Sequence, residues 1–554
     1  MSSVIDDPRH QRLSAEARKV IVASTIGTMF EWYDFFLYGS LAGVLAKKYF
    51  AALDPSSSFV FALLAFAAGF IVRPIGALIF GRLGDVVGRK YAFMVTIIIM
   101  GLSTFLAGLI PDASTIGILA PIALIALRLL QGLAIGGEYG GAVTFVAEYA
   151  PRQRRGGYSA WLQTTATLGL LLSLIVIAGV RSVLGDAEFN AWGWRLPFLG
   201  SLLLLALSMW FRLQLTESPV FTRVKAAGRL SSAPLREAFV ADRGNAARVL
   251  VAFFGLVAGQ AVVWYAGQIY ALFFLTRILK VSALDADVFV GASLLLGIPF
   301  FWVFGALADR FGRKRIILNG LALAALSYFP LYHALTAAAN PALAKALVSA
   351  PVRLIAAPDE CSFQFDPLET KTFTSSCDIA KRLLAEAAID YTTTAGQGPA
   401  RIVVGDRVLP VFEGGGLSPA ERAAQAQALR AALARAAHAA GYPEQADPNA
   451  IDTPLVIGIL FVLVLLVAMV YGPLAAALAE LFPTRLRCTS LSLPYHLGNG
   501  WFGGLLPTIA FALVAQNGNI YYGLWYAVIV AAVTFVIGMN FLPETAGSDL
   551  NLDG

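Results

Sequence analysis

Five ionisable residues lie inside long apolar stretches of this sequence: Glu31, Asp34, Arg73, Arg128 and Glu138. A charge held in hydrocarbon is costly unless it is paired or faces water, so such residues mark ion or substrate paths. Glu31 and Asp34 are three positions apart and share one face of a helix. At ~1.5 Å of rise per residue, Glu31, Arg73 and Glu138 fall about 12–18 Å from the basic end of their runs, and Asp34 and Arg128 about 21–27 Å. Two layers are expected, an Asp34–Arg128 pair and Arg73 between Glu31 and Glu138. Three acids then face two cations that keep their protons. The carboxyl in excess has the chemistry of a proton carrier, neutral toward one side and ionised when its partner rearranges. The plainer reading is that these residues brace the first, second and fourth helices.

Polar recognition is expected from Tyr38 and from the second half of the chain. Gln260, Trp264 and Gln268 recur every four residues and form one stripe of a helix. Asn499 and His496 lie on a later run, and Tyr265 and Tyr270 beside the stripe. Proton coupling is thus assigned to the first half and much of the substrate contact to the second, with packing as the alternative role for Trp264 and Tyr265.

Apolar helices must position these groups. The chain is 58% hydrophobic and 14% charged, too apolar for a water-soluble globule. Twelve runs approach the ~20 residues needed to span a bilayer: 20–46, 59–80, 91–110, 116–145, 158–180, 196–210, 247–276, 288–307, 316–335, 454–479, 491–515 and 521–541. The expected fold is an all-α membrane protein of twelve transmembrane helices in two pseudo-symmetric six-helix halves. The halves are marked by a repeat: Gly81-Arg82-Leu83-Gly84-Asp85-Val86-Val87-Gly88-Arg89-Lys90 returns as Gly305-Ala306-Leu307-Ala308-Asp309-Arg310-Phe311-Gly312-Arg313-Lys314. Ala147-Glu148-Tyr149-Ala150-Pro151 is likewise echoed by Ala479-Glu480-Leu481-Phe482-Pro483.

Asp85 to Asp309 is an offset of 224 positions and Glu148 to Glu480 one of 332, so 108 extra positions belong to the second half. They are expected as a small α+β extramembrane domain between helices nine and ten. The predicted divisions are 1–213, a first six-helix half; 214–245, a linker; 246–335, helices seven to nine; 336–453, the inserted domain; and 454–554, helices ten to twelve and a short tail. Within the insertion, Arg401 to Val411 reads as a hairpin about Gly405-Asp406. Ser418 and Pro419 open an Ala-rich helix as N-cap and first helical residue.

Most Lys and Arg lie on the side of the decapeptides, the opposite side having only Lys47, Lys48, Arg181, Arg195, Arg277 and Lys280. That bias places the decapeptides and both termini in the cytoplasm and the insertion outside. Cys361 and Cys377 then face an oxidising compartment in a Gram-negative cell, and a disulfide between them is expected over two free thiols.

The decapeptides resemble the loop signature of the major facilitator superfamily, and Arg128-Leu129-Leu130-Gln131-Gly132 its fourth-helix motif. Gly27-Thr28-Met29-Phe30-Glu31-Trp32-Tyr33-Asp34-Phe35-Phe36-Leu37-Tyr38-Gly39, Arg73-Pro74-Ile75-Gly76 and Gly136-Gly137-Glu138-Tyr139 are similar to the metabolite:proton symporters, carriers of α-ketoglutarate, shikimate, citrate and proline or betaine. The large insertion departs from that pattern. The resemblance implies alternating access and coupling through the first-helix acid and the fourth-helix Arg. It also implies a cytoplasmic latch of Asp85, Arg89, Asp309 and Arg313, with Arg152, Arg154, Arg485 and Arg487 as partners.

The expected function is proton-coupled symport of a small polar metabolite, an organic anion such as a mono- or dicarboxylate. The alternatives are a zwitterion such as proline or betaine, a metabolite or drug exporter, and a transporter-like sensor using the outer domain. No enzyme, cofactor, metal site or nucleic-acid partner is expected: the chain has no phosphate-binding Gly-x-x-x-x-Gly-Lys-Ser/Thr loop, and its four His and three Cys lack metal spacing. A monomer in a bacterial inner membrane is expected, driven by the proton gradient.

Overall fold

The computed structural model describes residues 15–50, 61–62, 65, 68–86, 89–137, 139–213, 243–362, 373–482 and 487–548. Nearly all of it is helix. The first half contributes α1 (Ala15–Ser40), α2 (Ala42–Tyr49), α3 (Arg73–Val86), α4 (Arg89–Leu109), α5 (Leu119–Gly136), α6 (Tyr139–Tyr149), α7 (Arg155–Glu188) and α8 (Arg195–Leu213). The second contributes α9, a helical run over Arg243–Ile278, then α10 (Ala283–Phe311), α11 (Arg313–Ala339) and α12 (Pro341–Ser349). After a small sheet come α15 (Thr453–Tyr471), α16 (Leu474–Leu481), α17 (Arg487–Leu497), α18 (Leu506–Asn517) and α19 (Leu524–Phe541).

Among the described residues, eight helices are long and apolar enough to cross a membrane, with Met94–Leu109 and Arg195–Trp210 as shorter apolar helices. Of the linker expected at 214–245, residues 214–242 lie outside the described residues and 243–245 already belong to α9. α11 continues to Ala339, past the 335 expected from hydropathy, because backbone propensity carries the helix beyond its apolar window: Ala337, Ala338 and Ala339 are strong helix formers.

Small residues set the spacing that brings the charged positions together. Gly132 and Gly136 on α5 lie against the backbone at Gly69 and Arg73, where any Cβ would collide with a carbonyl oxygen. This close approach seats α3 beside α5, and with them Arg73 near Arg128. Between the halves, α7 packs along α10.

The sheet lies between α12 and α15. Its strands β1 (Val352–Ala356), β2 (Tyr391–Ala395), β3 (Arg401–Val404) and β4 (Arg407–Pro410) run in the order β2-β1-β3-β4. β1 and β2 are parallel, β1 and β3 antiparallel. β3 and β4 form a hairpin turning at Gly405, φ 56°. α13 (Ser376–Glu386) links β1 to β2, and α14 (Pro419–Ala439) follows β4. Ser418 and Glu421 close a capping box at the start of α14, satisfying amide groups that the helix cannot. A disulfide joins Cys361 to Cys377, Cα–Cα 5.2 Å.

The module is bonded to the second half. Tyr391 N–H donates to the Gly518 carbonyl at 3.1 Å, Ile520 N–H to Asp390 Oδ1 at 3.1 Å, and Lys280 Nζ to the Pro443 carbonyl at 3.3 Å. This end of the molecule is called the sheet end, and the opposite one, with the decapeptides, the signature end.

Candidate functional site

α1 presents Glu31, Asp34 and Tyr38 inward, all buried. Arg73 opens α3 and Arg128 lies within α5, both essentially without solvent exposure. The expected Asp34–Arg128 ion pair does not form. Arg128 NH1 donates to Gln131 Oε1 at 2.6 Å and to the Phe35 carbonyl at 3.3 Å, and Gln131 Nε2 donates to Thr104 Oγ1 at 2.7 Å. Thr104 in turn faces the Asp34 carboxyl, whose Oδ1 makes no hydrogen bond among the described residues. Acid and cation are therefore linked through two neutral side chains from α4 and α5. Helical rise predicts height along the bundle but not the direction in which a side chain points.

The expected Glu31–Arg73 contact is also absent. The Arg73 guanidinium is boxed by aromatic rings, 4.0 Å from the Phe70 centroid, 4.3 Å from Phe35 and 5.3 Å from Trp32. None of its three nitrogens has a hydrogen-bond acceptor among the described residues. Its aromatic neighbours favour a cation over their faces and offer no lone pairs in its plane. Glu31 lines a small cavity, of a size to hold a water, with Thr28, Trp32, Tyr139, Thr165 and Tyr471. Glu138 lies outside the described residues.

Of the polar stripe, Trp264 stacks on Phe36 across the two halves, ring centroids 5.2 Å apart. Gln260 accepts from Asn499 Nδ2 at 3.4 Å, whereas Gln268 pairs with Thr167 of α7, Nε2 to Oγ1 3.3 Å. The three meet different elements, Gln260 the second half and Trp264 and Gln268 the first, and a π-turn over Ala266–Tyr270 lies at Gln268. His496 packs against Tyr139 and Tyr495, whose rings stack on each other.

Charged clusters close the interface between the halves at both ends. At the signature end Asp309 accepts Gly156 N–H and Gly157 N–H, each at 2.8 Å, so its carboxylate sits on the positive N-terminus of α7. Gly156 and Gly305 approach so closely that a Cβ on either would strike the other's carbonyl. Arg313 bridges Asp309 at 2.6 Å and Glu480 at 3.2 Å, and Glu480 also holds Arg155 at 2.8 Å. Thr545 donates to Glu480 and Arg313 N–H to Glu544, so the segment after α19 joins the cluster.

Among the described residues the expected arginine partners do not meet Asp309 or Arg313. Arg154 is exposed, Arg487 donates to the carbonyls of Ala479 and Phe482, and Arg152 donates to the Gly547 carbonyl. Arg485 and the side chains of Asp85 and Arg89 lie outside the described residues. Arg155 and Glu480 do the joining; sequence reasoning selected neither, although the echo of Ala147-Glu148 in Ala479-Glu480 carried a signal for Glu480.

At the sheet end Arg181 of α7 pairs with Asp287 of α10, NH1 to Oδ2 3.2 Å, both buried. Sequence reasoning counted Arg181 as a loop charge and did not select Asp287. Arg195 and Lys48 converge on Asp112 at 2.6 and 3.2 Å within the first half. Among the described residues no group of three or more His, Cys, Asp or Glu side chains is placed to hold a metal.

Two apolar helical bundles closed over buried charges are the architecture of a polytopic membrane carrier. The family model for sugar (and other) transporters matches residues 19–350 and 433–552, and the chain belongs to that family. The stretch the model skips, 351–432, contains all four strands. The proline/betaine transporter of Escherichia coli K12 is 38% identical over 57% of this chain, and the shikimate transporter of the same strain 36% identical over 58%. The matched region spans 63% of the first relative's length and 74% of the second's. Among solved structures, the proton:xylose symporter of the major facilitator superfamily covers 98% of this chain at TM-score 0.59 and 16% identity, a likeness of fold.

Proposed function

We propose that this chain is a proton-coupled symporter that moves a small carboxylate-bearing metabolite by alternating access between its two halves. The observation that carries the reading is Arg73, a buried guanidinium walled by Trp32, Phe35 and Phe70 with no acceptor for its N–H groups among the described residues. A substrate carboxylate supplies two acceptors in the plane of the guanidinium. The surrounding rings suit an ammonium or quaternary ammonium group. Carboxylate and cation together describe a zwitterion, and the resemblance to proline/betaine transporters favours it over the simple organic anion expected from sequence. A cyclic monocarboxylate is the second reading, favoured by the likeness to the shikimate transporter.

In this reading Asp34 carries the proton. Substrate arriving at Arg73 and Arg128 perturbs the Gln131–Thr104 link and with it the carboxyl. Glu31, at the wall of the cavity, is the second acid in the path. The Arg155–Glu480–Arg313–Asp309 cluster and the Arg181–Asp287 pair are the two gates, opened in turn as the halves rock. The basic bias of the loops supports a cytoplasmic signature end and cytoplasmic termini, with the sheet module outside.

The deciding experiment is uptake into proteoliposomes under an imposed pH gradient, with proline, glycine betaine, shikimate and α-ketoglutarate as separate substrates. Proline or betaine is expected to accumulate, and Arg73→Ala to weaken its affinity by roughly 10- to 150-fold, the loss of about 1.5–3 kcal/mol of charged hydrogen bonding. Accumulation of none of the four, or unchanged affinity in Arg73→Ala, overturns the assignment.

A further inference from the structure

α7 and α10, one from each half, pack along each other, and at the signature end an open groove lies between them. One wall is the start of α7 and the turn before it, with Arg154, Gly157 and Tyr158. The other is α10, with Trp302, Ala306, Asp309 and Arg310, which recur at helical spacing and form one face.

The groove carries uncompensated positive charge. Arg154 and Arg310 are both exposed, and neither has an acid partner among the described residues. Arg310 has only the neighbouring Phe311 ring, 5.3 Å from its guanidinium carbon. The carboxylate in the wall, Asp309, is committed elsewhere: it accepts Gly156 N–H and Gly157 N–H and pairs with Arg313. Toward the middle of the bundle the same two helices turn apolar side chains outward. Trp302 and Trp161 are about half exposed, as are Leu295 and Leu296 of α10 and Ile175 of α7.

We propose that this groove binds one anionic phospholipid, with its phosphate held by Arg154 and Arg310 and its chains along Trp302 and the outward face of α10. A basic pocket between apolar helices suits such a headgroup, and an indole is favoured at headgroup depth. Tyr158 adds a hydroxyl donor for the phosphate. A free phosphate would meet the arginines and leave the apolar flank unused. Because each half supplies one wall, the site is complete only while the signature end is closed. Bound lipid therefore favours that arrangement, in addition to the Arg155–Glu480–Arg313–Asp309 cluster.

The test uses the full-length protein, stripped of lipid in detergent and titrated with phosphatidylglycerol, phosphatidylcholine or inorganic phosphate under native mass spectrometry. One phosphatidylglycerol is expected to bind ahead of the other two probes. Arg154→Gln combined with Arg310→Gln should weaken it about 30-fold, each charge near a lipid headgroup contributing about fivefold. Arg248→Gln combined with Arg315→Gln removes two exposed charges from the same end outside the groove, and should leave the affinity unchanged. In liposomes, phosphatidylglycerol with a photoreactive acyl chain should mark peptides of both α7 and α10. Phosphatidylcholine or inorganic phosphate binding as tightly, equal weakening by the two pairs of substitutions, or marks on one helix alone overturns the proposal.

Discussion

Arg155 at the start of α7 and Glu480 at the end of α16 are 2.8 Å apart, buried, and separated by 325 positions in the chain. Glu480 is shared by Arg155 and Arg313, so one carboxylate neutralises two buried cations from opposite halves. Glu480→Gln removes the charge the two share, leaving Arg313 its bond to Asp309 and Arg155 only backbone carbonyls, at a cost of up to about 3–5 kcal/mol to the closed arrangement. Spin labels at the exposed Gln153 and Arg310 are expected to move apart in pulsed EPR. An unaltered distance distribution contradicts the gating role of this cluster.

The Arg181–Asp287 pair predicts the mirror result. Asp287→Asn leaves Arg181 only the exposed carboxylate of Asp186, 3.5 Å from its Nε. Labels at Val183 and Val288, both exposed, should separate while the Gln153–Arg310 distance holds. Widening at both ends together would mean that Asp287 supports the bundle as a whole and not one gate.

Asp34 is buried with one carboxylate oxygen unbonded among the described residues, and the Thr104–Gln131 link is its route to Arg128. In Asp34→Asn, uptake driven by a pH gradient should fall to that of empty liposomes while exchange of substrate across the membrane continues, because the carrier keeps its substrate contacts and loses its proton. Arg128→Lys should abolish both, since an ammonium cannot combine the NH1 bonds to Gln131 and the Phe35 carbonyl with the planar group's seat over the Phe35 and Tyr38 rings. Gradient-driven uptake in Asp34→Asn at the parent rate would eliminate this residue as the carrier.

Asp390, where the sheet module meets the loop before α19, is pushed by burial from an ordinary 3.8 up to about 6, against the hydrogen bond from Ile520 N–H. The folded module thus binds the proton more tightly than the unfolded chain, and its stability falls as pH rises from about 4 to about 6, then levels. Asp390→Asn retains an acceptor for Ile520 and should remove that slope, stabilising the docked module above the window by at most about 2 kcal/mol once partial exposure is allowed for. Hydrogen exchange at the Ile520 amide, followed at pH 5 and pH 8, measures it; an equal slope in parent and variant assigns the pH dependence elsewhere.

Much of the local structure was legible in the residues. The hairpin at Gly405 needed only alternating β-branched residues about a turn, and α14 only Ser418, Pro419 and Glu421 in sequence. The family resemblance rested on short motifs such as Arg73-Pro74-Ile75-Gly76, whose glycine is now seen pressed on the Leu133 carbonyl. The site was legible as a set of residues and not as a set of contacts. Asp34 and Arg128 were selected correctly as buried charges, yet Gln131 entered only as part of the fourth-helix motif, and Thr104, an ordinary polar residue in an apolar helix, carried no signal that it would stand between them.

Burial of charge, helical rise and turn chemistry are properties of neighbouring residues, and the sequence determined them by itself: apolar helices, ionisable groups at depth, a capped helix and a hairpin. Which charge meets which partner depends on the rotation of each helix about its axis and on the packing of one half against the other. Gln268 meets Thr167 of α7, and three rings surround Arg73 and leave it without an acceptor among the described residues. Those outcomes were decided only by the tertiary structure, because side-chain partners hundreds of positions apart are chosen by close packing and not by spacing along the chain.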